Sequence, residues 1–513
     1  MIQNTLNSPR TTGVLLHPSS LPNSPLCGSF GSPAREWLRL LARNEIGVWQ
    51  FLPLSPTDQT GSPYSSPSSF AYNSCFLDVN DLIEDGFLPS SFLNELPEAI
   101  TTSSSLVDFS LSNTFSEMLG YSLRKFWEEQ DHDKHVQFEA WCSKQFWLED
   151  HVLFMELKKY FKNRPWWEWP EPFFKKNIRE INIWRVDFED NLLEQRLIQW
   201  HLDRQWQSLR DLAKDLGVLL IGDLPFYISR DSADVWSNRS LFSVLTNGEL
   251  FLQSGVPPDY FSETGQLWGT PIYRWKKHRS TRYSWWRKRF LRNFEQVDLL
   301  RIDHFRALDS YWAIPGSKET AQEGFWLPSP GKSMLKKLQK DFGKKLPLIA
   351  EDLGVITPTV EYLRDYFSLP GMKILQFAFD GNNENPYLPE NINGNSWVVY
   401  PGTHDNPTTN GWWEDLDNET KSRISARQST IEDSPSWNFI EMGLLTSGSL
   451  FISPIQDLLS LGNEARFNTP GTIENNWNWR IKSFDSQLDL ALERYGHLSK
   501  DSNRSFNDAY KLL

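Results

Sequence analysis

Eight short apolar runs, most of them separated by helical patterns, are the feature that most limits how this chain can fold. They are GVLLHPSS from Gly13, IGVWQFLPLS from Ile46, GVLLIGDLPFYI from Gly217, VDLLRIDHF from Val297, LPLIAEDLG from Leu346, MKILQFAFD from Met372, SWVVYPGTHDN from Ser396 and SLFISPIQDLL from Ser449. Runs that are apolar throughout, rather than alternating, suit strands buried on both faces, which is the condition of parallel sheets. Parallel neighbours need crossover connections, and stretches such as AREWLRLLARN from Ala34, LEQRLIQWHLDRQWQSLRDLAKDLG from Leu193 and TVEYLRDYF from Thr359 can supply them as helices. The alternation predicts an α/β fold, a (β/α)8 TIM barrel, with its polar residues gathered at the C-terminal ends of the strands.

Two stretches interrupt the rhythm. Residues 80–200, between the second and third runs, are too many for an ordinary connection, and they carry Trp127, Trp141, Trp147 and PWWEWPEPF from Pro165. They predict an inserted, mostly helical subdomain with a small core of its own. Residues 225–290, which contain SGVPPDYFSETGQLWGTPIYRW, predict an ordered loop region bordering a cleft. No separate C-terminal β domain is expected, so residues 1–513 read as a single barrel domain carrying these inserts.

Acidic residues exceed basic ones by 65 to 52, a formal net charge of −13 that is spread along the chain rather than collected in blocks. That balance argues against nucleic acid or an anionic membrane as partner and for a neutral ligand. The three cysteines, Cys27, Cys75 and Cys142, are scattered without a CxxC pair, which predicts reduced thiols and no thiolate metal site. The first residues lack an apolar signal segment, and no uncharged apolar stretch approaches the ~18 residues of a membrane span. A cytoplasmic protein, monomeric or loosely dimeric, is expected.

Three of the apolar runs end in an acid: Asp303 in VDLLRIDHFR, Glu351 in LPLIAEDLG and Asp405 in SWVVYPGTHDN. An acid at a strand end can simply cap the next helix, but three in matching contexts, with Arg or His nearby, predict one acidic cleft. Making or breaking a glycosidic bond needs a carboxylate nucleophile on one side of the anomeric carbon and a protonated carboxyl on the other. Asp303 shares a strand face with Arg301, whose charge favours the ionised form a nucleophile needs. Glu351 follows an apolar run and stands beside Asp352, a setting that raises a carboxyl's pKa into the range of a general acid. Asp405, preceded by His404, is placed to bind sugar hydroxyls. No HExxH, GxSxG, Walker loop or strand-linked GxGxxG points to another chemistry.

At these residues the chain resembles the 4-α-glucanotransferase family, the amylomaltase or disproportionating-enzyme branch of the α-amylase clan. The resemblance runs through GVLLHPSSLP, GSPYSS, GVPPDYFSETGQLWGTPIY, RIDHFRALDSYWAIP, AEDLGVITPTV, GMKILQFAFD, GTHDNPTT and QDLLSLGNEARFNTPGT followed by NWNWR, from about Gly13 to Arg480. It implies retaining transfer of α-1,4-glucan segments from maltooligosaccharides, starch or glycogen to glucose or another glucan, without cofactor or metal. Asp303 matches the family nucleophile, Glu351 its acid/base and Asp405 its transition-state stabiliser. Arg301, His304, His404 and Asp223 match positions that orient the nucleophile and the sugar, and Tyr64, Gln266, Trp268, Phe377 and Asn476 match positions used for stacking, gating or hydroxyl contacts. The chain departs from the common family pattern at Tyr72, Asn73 and Ser74, at Ala307, and at Asn475, where glycine is usual.

Transfer wins over hydrolysis only if a sugar hydroxyl reaches the glycosyl-enzyme before water does. The loop from Pro257 to Pro271 offers Gln266 and Trp268, an amide and an indole able to stack a glucose unit and keep water away. Trp268→Ala is therefore expected to lower the transfer-to-hydrolysis ratio more than total turnover. Quantifying transfer products against new reducing ends for both proteins checks this, and an unchanged ratio removes the loop from the explanation.

Overall fold

The computed structural model describes residues 9–101, 106–258, 263–427 and 434–513, and holds twelve strands. In chain order they are β1 Thr11–Leu15, β2 Val48–Gln50, β3 Leu219–Leu224, β4 Leu252–Val256, β5 Gln266–Pro271, β6 Leu299–Ile302, β7 Ser310–Pro315, β8 Phe325–Pro328, β9 Leu348–Ala350, β10 Gly371–Ile374, β11 Trp397–Tyr400 and β12 Leu450–Pro454. All eight runs singled out in the sequence form strands of one parallel sheet, in the order β10-β11-β12-β1-β2-β3-β6-β9. These strands are buried almost throughout, which is why their sequences do not alternate.

The sheet's two ends meet at a seam between β9 and β10. There the Ala350 N–H donates to the Pro370 carbonyl at 2.9 Å. Just beyond, the Asp352 carboxylate accepts from the Met372 N–H at 2.8 Å and from Arg364 Nη1 at 2.5 Å. A charged side chain thus completes the backbone pairing where the two strands run out. Helix Ser486–Asp501 packs on β1 and β12, with Tyr495 Oη donating to the Gly13 carbonyl at 3.1 Å and to the Phe451 carbonyl at 3.3 Å. After β12 the described residues form helices and loops.

The long connection between β2 and β3 is helical. Helices Ser112–Trp127, His132–Lys144 and Leu148–Tyr160 pack against a 39-residue helix, Ile178–Leu216, that runs directly into β3. Asn177 caps its start and Gly217, at φ 79°, ends it in the left-handed conformation that glycine adopts without penalty. The expected separate core is not found: the buried side chains of these helices are continuous with the barrel core. Trp206 on the long helix shows why, since its indole packs on Phe30 and Phe51 with ring centroids 4.7 and 5.3 Å away. The same helix pins the strand-end loop beside it, because Gln199 and Gln205 each exchange two hydrogen bonds with the backbone, at Tyr72 and Asp78 respectively.

The second insert contains more than loops. Strands β4 and β5 join β7 and β8, which follow β6, in an antiparallel sheet of order β5-β4-β7-β8. The sequence reading missed this sheet because its strands are short, carry glycine and proline, and expose one face. Residues 259–262 of the Pro257–Pro271 loop lie outside the described residues.

The seam gives a stability test. Asp352 is buried at 7% exposure, so Asp352→Ala removes the Met372 acceptor and the buried partner of Arg364, leaving that guanidinium only the exposed Asp365 as a carboxylate partner. Urea unfolding is expected to show a loss of about 3 kcal/mol or more. A loss within the scatter of surface substitutions would mean that the seam does not depend on this carboxylate.

Candidate active site

The three strand-end acids come together because β6, β9 and β11 deliver them to the same rim of the barrel. Register sets the first contact: Asp223 on β3 is paired directly with Arg301 on β6, so their side chains share a face. Arg301 Nη1 donates to Asp223 Oδ2 at 2.6 Å and to Asp303 Oδ1 at 3.1 Å, bridging the two carboxylates. Tyr64 Oη donates to Asp223 Oδ2 at 2.8 Å and lies 3.0 Å from His404 Nε2, with the two rings stacked 5.4 Å apart. His404 Nε2 in turn lies 3.4 Å from Asp405 Oδ2.

Glu351 is joined to the same group through the backbone. His304 adopts φ 50°, a left-handed conformation that bulky residues rarely hold, and its N–H donates to Glu351 Oε2 at 2.6 Å. The Leu353 N–H donates to the other oxygen at 3.2 Å. Over His304 stands Trp268, edge to face with centroids 4.9 Å apart, and the Trp268 Nε1–H donates to Gln266 Oε1 at 3.1 Å. Gln266 and Trp268 thus flank the acids from the antiparallel sheet.

Two residues from the sequence reading stand apart from this cluster. Asn476 spends its side chain inside the 469–477 turn, accepting from the Thr469 N–H and donating to the Thr472 carbonyl. Phe377 follows β10 with 41% of its surface exposed, its ring set edge-on to Tyr387. Other residues went unnoticed. Asn468 Nδ2 donates to Asp405 Oδ1 at 2.6 Å, and Arg466 Nη2 donates to the Asp405 carbonyl at 2.8 Å. Both belong to the EARFNTPGT segment, whose sequence carries no local sign that it reaches Asp405. Tyr227 packs against Trp268 and His304 at 5.9 and 6.2 Å.

Burial and charge separate the acids. Burial pushes Glu351 up to about 8, with Arg301 opposing and the negative Asp303 adding to the rise. Burial also pushes Asp303 up, to about 6, against the pull of the Arg301 guanidinium. A third of the Asp303 side chain (32%) stays open while Arg301 holds one oxygen, so at neutral pH this carboxyl is the ionised member of the pair. His304 and His17 are pushed down to about 3 by burial, and burial also lowers His404, so these rings are neutral. Buried polar atoms without a partner include Asp223 Oδ1, His304 Nε2, His17 Nδ1 and Tyr227 Oη. Such atoms are costly in a finished core and ordinary in a site that binds a hydroxyl-rich ligand. Among the described residues no cluster of three or more His, Cys, Asp or Glu side chains is arranged to hold a metal ion.

A sequence profile described as 4-alpha-glucanotransferase matches residues 16–486, most of the chain. The chain belongs to the 4-alpha-glucanotransferase family. A 4-alpha-glucanotransferase of Synechocystis sp. is 39% identical over 494 residues, covering 96% of each chain. One from Thermus thermophilus is 40% identical over 485 residues, covering 92% of this chain and 95% of its own. Among solved structures, the amylomaltase from Streptococcus agalactiae in complex with acarbose superposes with a TM-score of 0.92 at 30% identity, covering 97% of this chain and all of that one. The (β/α)8 assignment therefore stands on the strand topology and on a solved relative alike. A position where the 4-alpha-glucanotransferase pattern favours glycine, Asn475, holds φ 61°, a conformation that asparagine tolerates better than other side chains.

The separation between the two carboxyls sets a pH profile. With the expected roles, Asp303 as an ionised nucleophile and Glu351 as a protonated acid, kcat/KM for transfer is expected to rise with pH through about 6 and fall again through about 8. Initial rates on maltotriose across pH 4–10 check it, and a flat profile through pH 8 would exclude Glu351 as the acid.

Proposed function

We propose that this protein is a 4-alpha-glucanotransferase that moves a segment of an α-1,4-glucan to the 4-hydroxyl of glucose or of another α-1,4-glucan, by a retaining double displacement. The observation that carries the reading is the pair Asp303 and Glu351, held in one shell around Arg301 and His304 with their proton affinities set apart. In the first step the protonated Glu351 gives its proton to the glycosidic oxygen while the Asp303 carboxylate attacks the anomeric carbon. The leaving glucan departs with a free 4-hydroxyl, and the donor segment stays bonded to Asp303. In the second step the Glu351 carboxylate takes the proton of an incoming 4-hydroxyl, which attacks the anomeric carbon and releases Asp303.

Two inversions give net retention. Asp405, oriented by Asn468 and flanked by His404, accepts hydrogen bonds from ring hydroxyls as the sugar flattens toward the oxocarbenium-like transition state. Arg301 keeps Asp303 ionised and fixes which of its oxygens faces the sugar. Tyr64 and Asp223 support the same wall, Trp268 and Gln266 shield the acceptor side, Phe377 takes outer sugar contacts, and Asn476 reaches the sugar only through the second lone pair of Oδ1, the rest of its amide being held by the turn. No cofactor enters these steps. The reading extends to a cytoplasmic monomer or loose homodimer acting on maltooligosaccharides, with neither nucleic acid nor membrane as partner. Among the described residues no helix is long and apolar enough to cross a membrane. It also extends to the domain division: one catalytic barrel over residues 1–513, a helical insert at 80–200 and an insert bordering the cleft at 225–290.

Incubation with maltotriose alone tests the reading. Transfer yields glucose beside maltopentaose and longer chains with little rise in total reducing ends. Rising reducing ends would indicate a hydrolase, new α-1,6 linkages a branching enzyme, and unchanged maltotriose a glucan-binding protein. Asp303→Asn is expected to abolish transfer with a melting temperature close to that of the parent, and full activity in that variant would refute the nucleophile assignment.

A further inference from the structure

Of the 24 tryptophans, two are exposed among the described residues: Trp268 at 37% and Trp326 at 40%. Burying an indole is among the largest single apolar gains a chain can make, so an open one at the rim of a cleft calls for a reason. Trp268 has one, beside His304. Trp326 has been given none.

Its position follows from the antiparallel sheet. Trp326 on β8 is the cross-strand partner of Trp312 on β7, with centroids 5.2 Å apart and edge to face. Trp312 is itself fixed, donating Nε1–H to the Ala321 carbonyl at 2.9 Å, and a Cβ on Gly324 would lie 2.2 Å from that nitrogen. The Arg306 guanidinium stacks on the Trp326 ring, 3.9 Å from its centroid. Arg306 Nη1 donates to the Val355 carbonyl at 2.5 Å, and the Phe305 N–H next to it donates to the Glu351 carbonyl at 3.1 Å. The indole is therefore held rigidly, with a cation on one face, beside the loop that leaves Glu351. That loop is open to solvent as well, Val355 being 61% exposed.

A general acid serves the oxygen of the leaving group, so the departing and arriving chains run past the loop that follows it. We propose that Trp326 is a stacking platform for a glucose unit of the acceptor chain, farther from Asp303 than the unit shielded by Trp268. This rests on the reading of Glu351 as acid/base. The ligand class is an α-1,4-glucan of several units. The flat apolar face of a glucose ring meets the open face of the indole, and the Arg306 charge polarises the ring system from behind. A rigid aromatic surface gives such contact at little entropic cost, because two side-chain torsions are already fixed by Trp312 and Arg306.

The test is acceptor-length dependence. With one fixed donor, Trp326→Ala is expected to raise KM about five- to tenfold for maltopentaose as acceptor while KM for glucose changes less than twofold, and Trp326→Phe is expected to keep most of the long-acceptor affinity. Equal rises for glucose and maltopentaose, or none for either, would overturn the proposal. Titration calorimetry with maltoheptaose in an Asp303→Asn background, where the chain is not consumed, reads the platform without turnover: a loss of affinity on adding Trp326→Ala supports it and an unchanged affinity refutes it. A parent protein that leaves maltooligosaccharides unaltered would instead overturn the transfer reading, and the calorimetry would still decide the platform.

Discussion

The buried guanidinium of Arg301 is the interaction on which the rest of the site depends. A charge at 4% exposure is tolerated only where opposite charges compensate it, and Asp223 and Asp303 do so from two directions. Its presence fixes the orientation of both carboxylates and lets Asp303 stay ionised inside an otherwise apolar rim. Tyr64, bonded to Asp223, and His404, bonded to Tyr64, extend the arrangement toward Asp405, so that a chain of short polar contacts links β3, β6 and β11. Removing the cation would leave the buried Asp223 and the partly open Asp303 facing each other without a charge between them.

Glu351 is controlled differently. It has no cation of its own in contact, and its oxygens accept from two backbone amides while burial holds its proton on. The strained His304 conformation matters here, because it turns the His304 N–H onto Glu351 at the point where β6 ends. One acid is thus governed by a side-chain charge and the other by desolvation, and two residues of the same chemical type acquire opposite protonation states. Next to Glu351, Asp352 closes the barrel seam. The sequence pair Glu-Asp therefore divides into one residue that faces the acidic cluster and one that holds the seam.

The antiparallel sheet places aromatic surface around this centre. It carries Trp268 on β5 and Trp326 on β8, while nearly all other tryptophans fill the continuous core that joins barrel and helical insert. The economy is consistent with composition: a chain rich in indoles buries them wherever packing allows, and leaves them open at the cleft.

All eight barrel strands were legible from their apolar runs, as were the three acids and Arg301, because strand burial writes an uninterrupted local pattern and strand ends are where barrels keep polar residues. The resemblance supplied the softer positions, and of these Tyr64, Gln266, Trp268 and His404 stand with the acids while Asn476 is spent in its own turn. The sequence could not show that Asn468 and Arg466 hold Asp405, that Asp352 belongs to the seam, or that β4, β5, β7 and β8 form a sheet. Those facts rest on contacts between residues far apart in the chain, for which local periodicity carries no signal. The amino-acid order alone determined which strands form and which acids they present. The tertiary structure decided the proton affinity of each acid, because that depends on the burial and charge that distant segments bring to it.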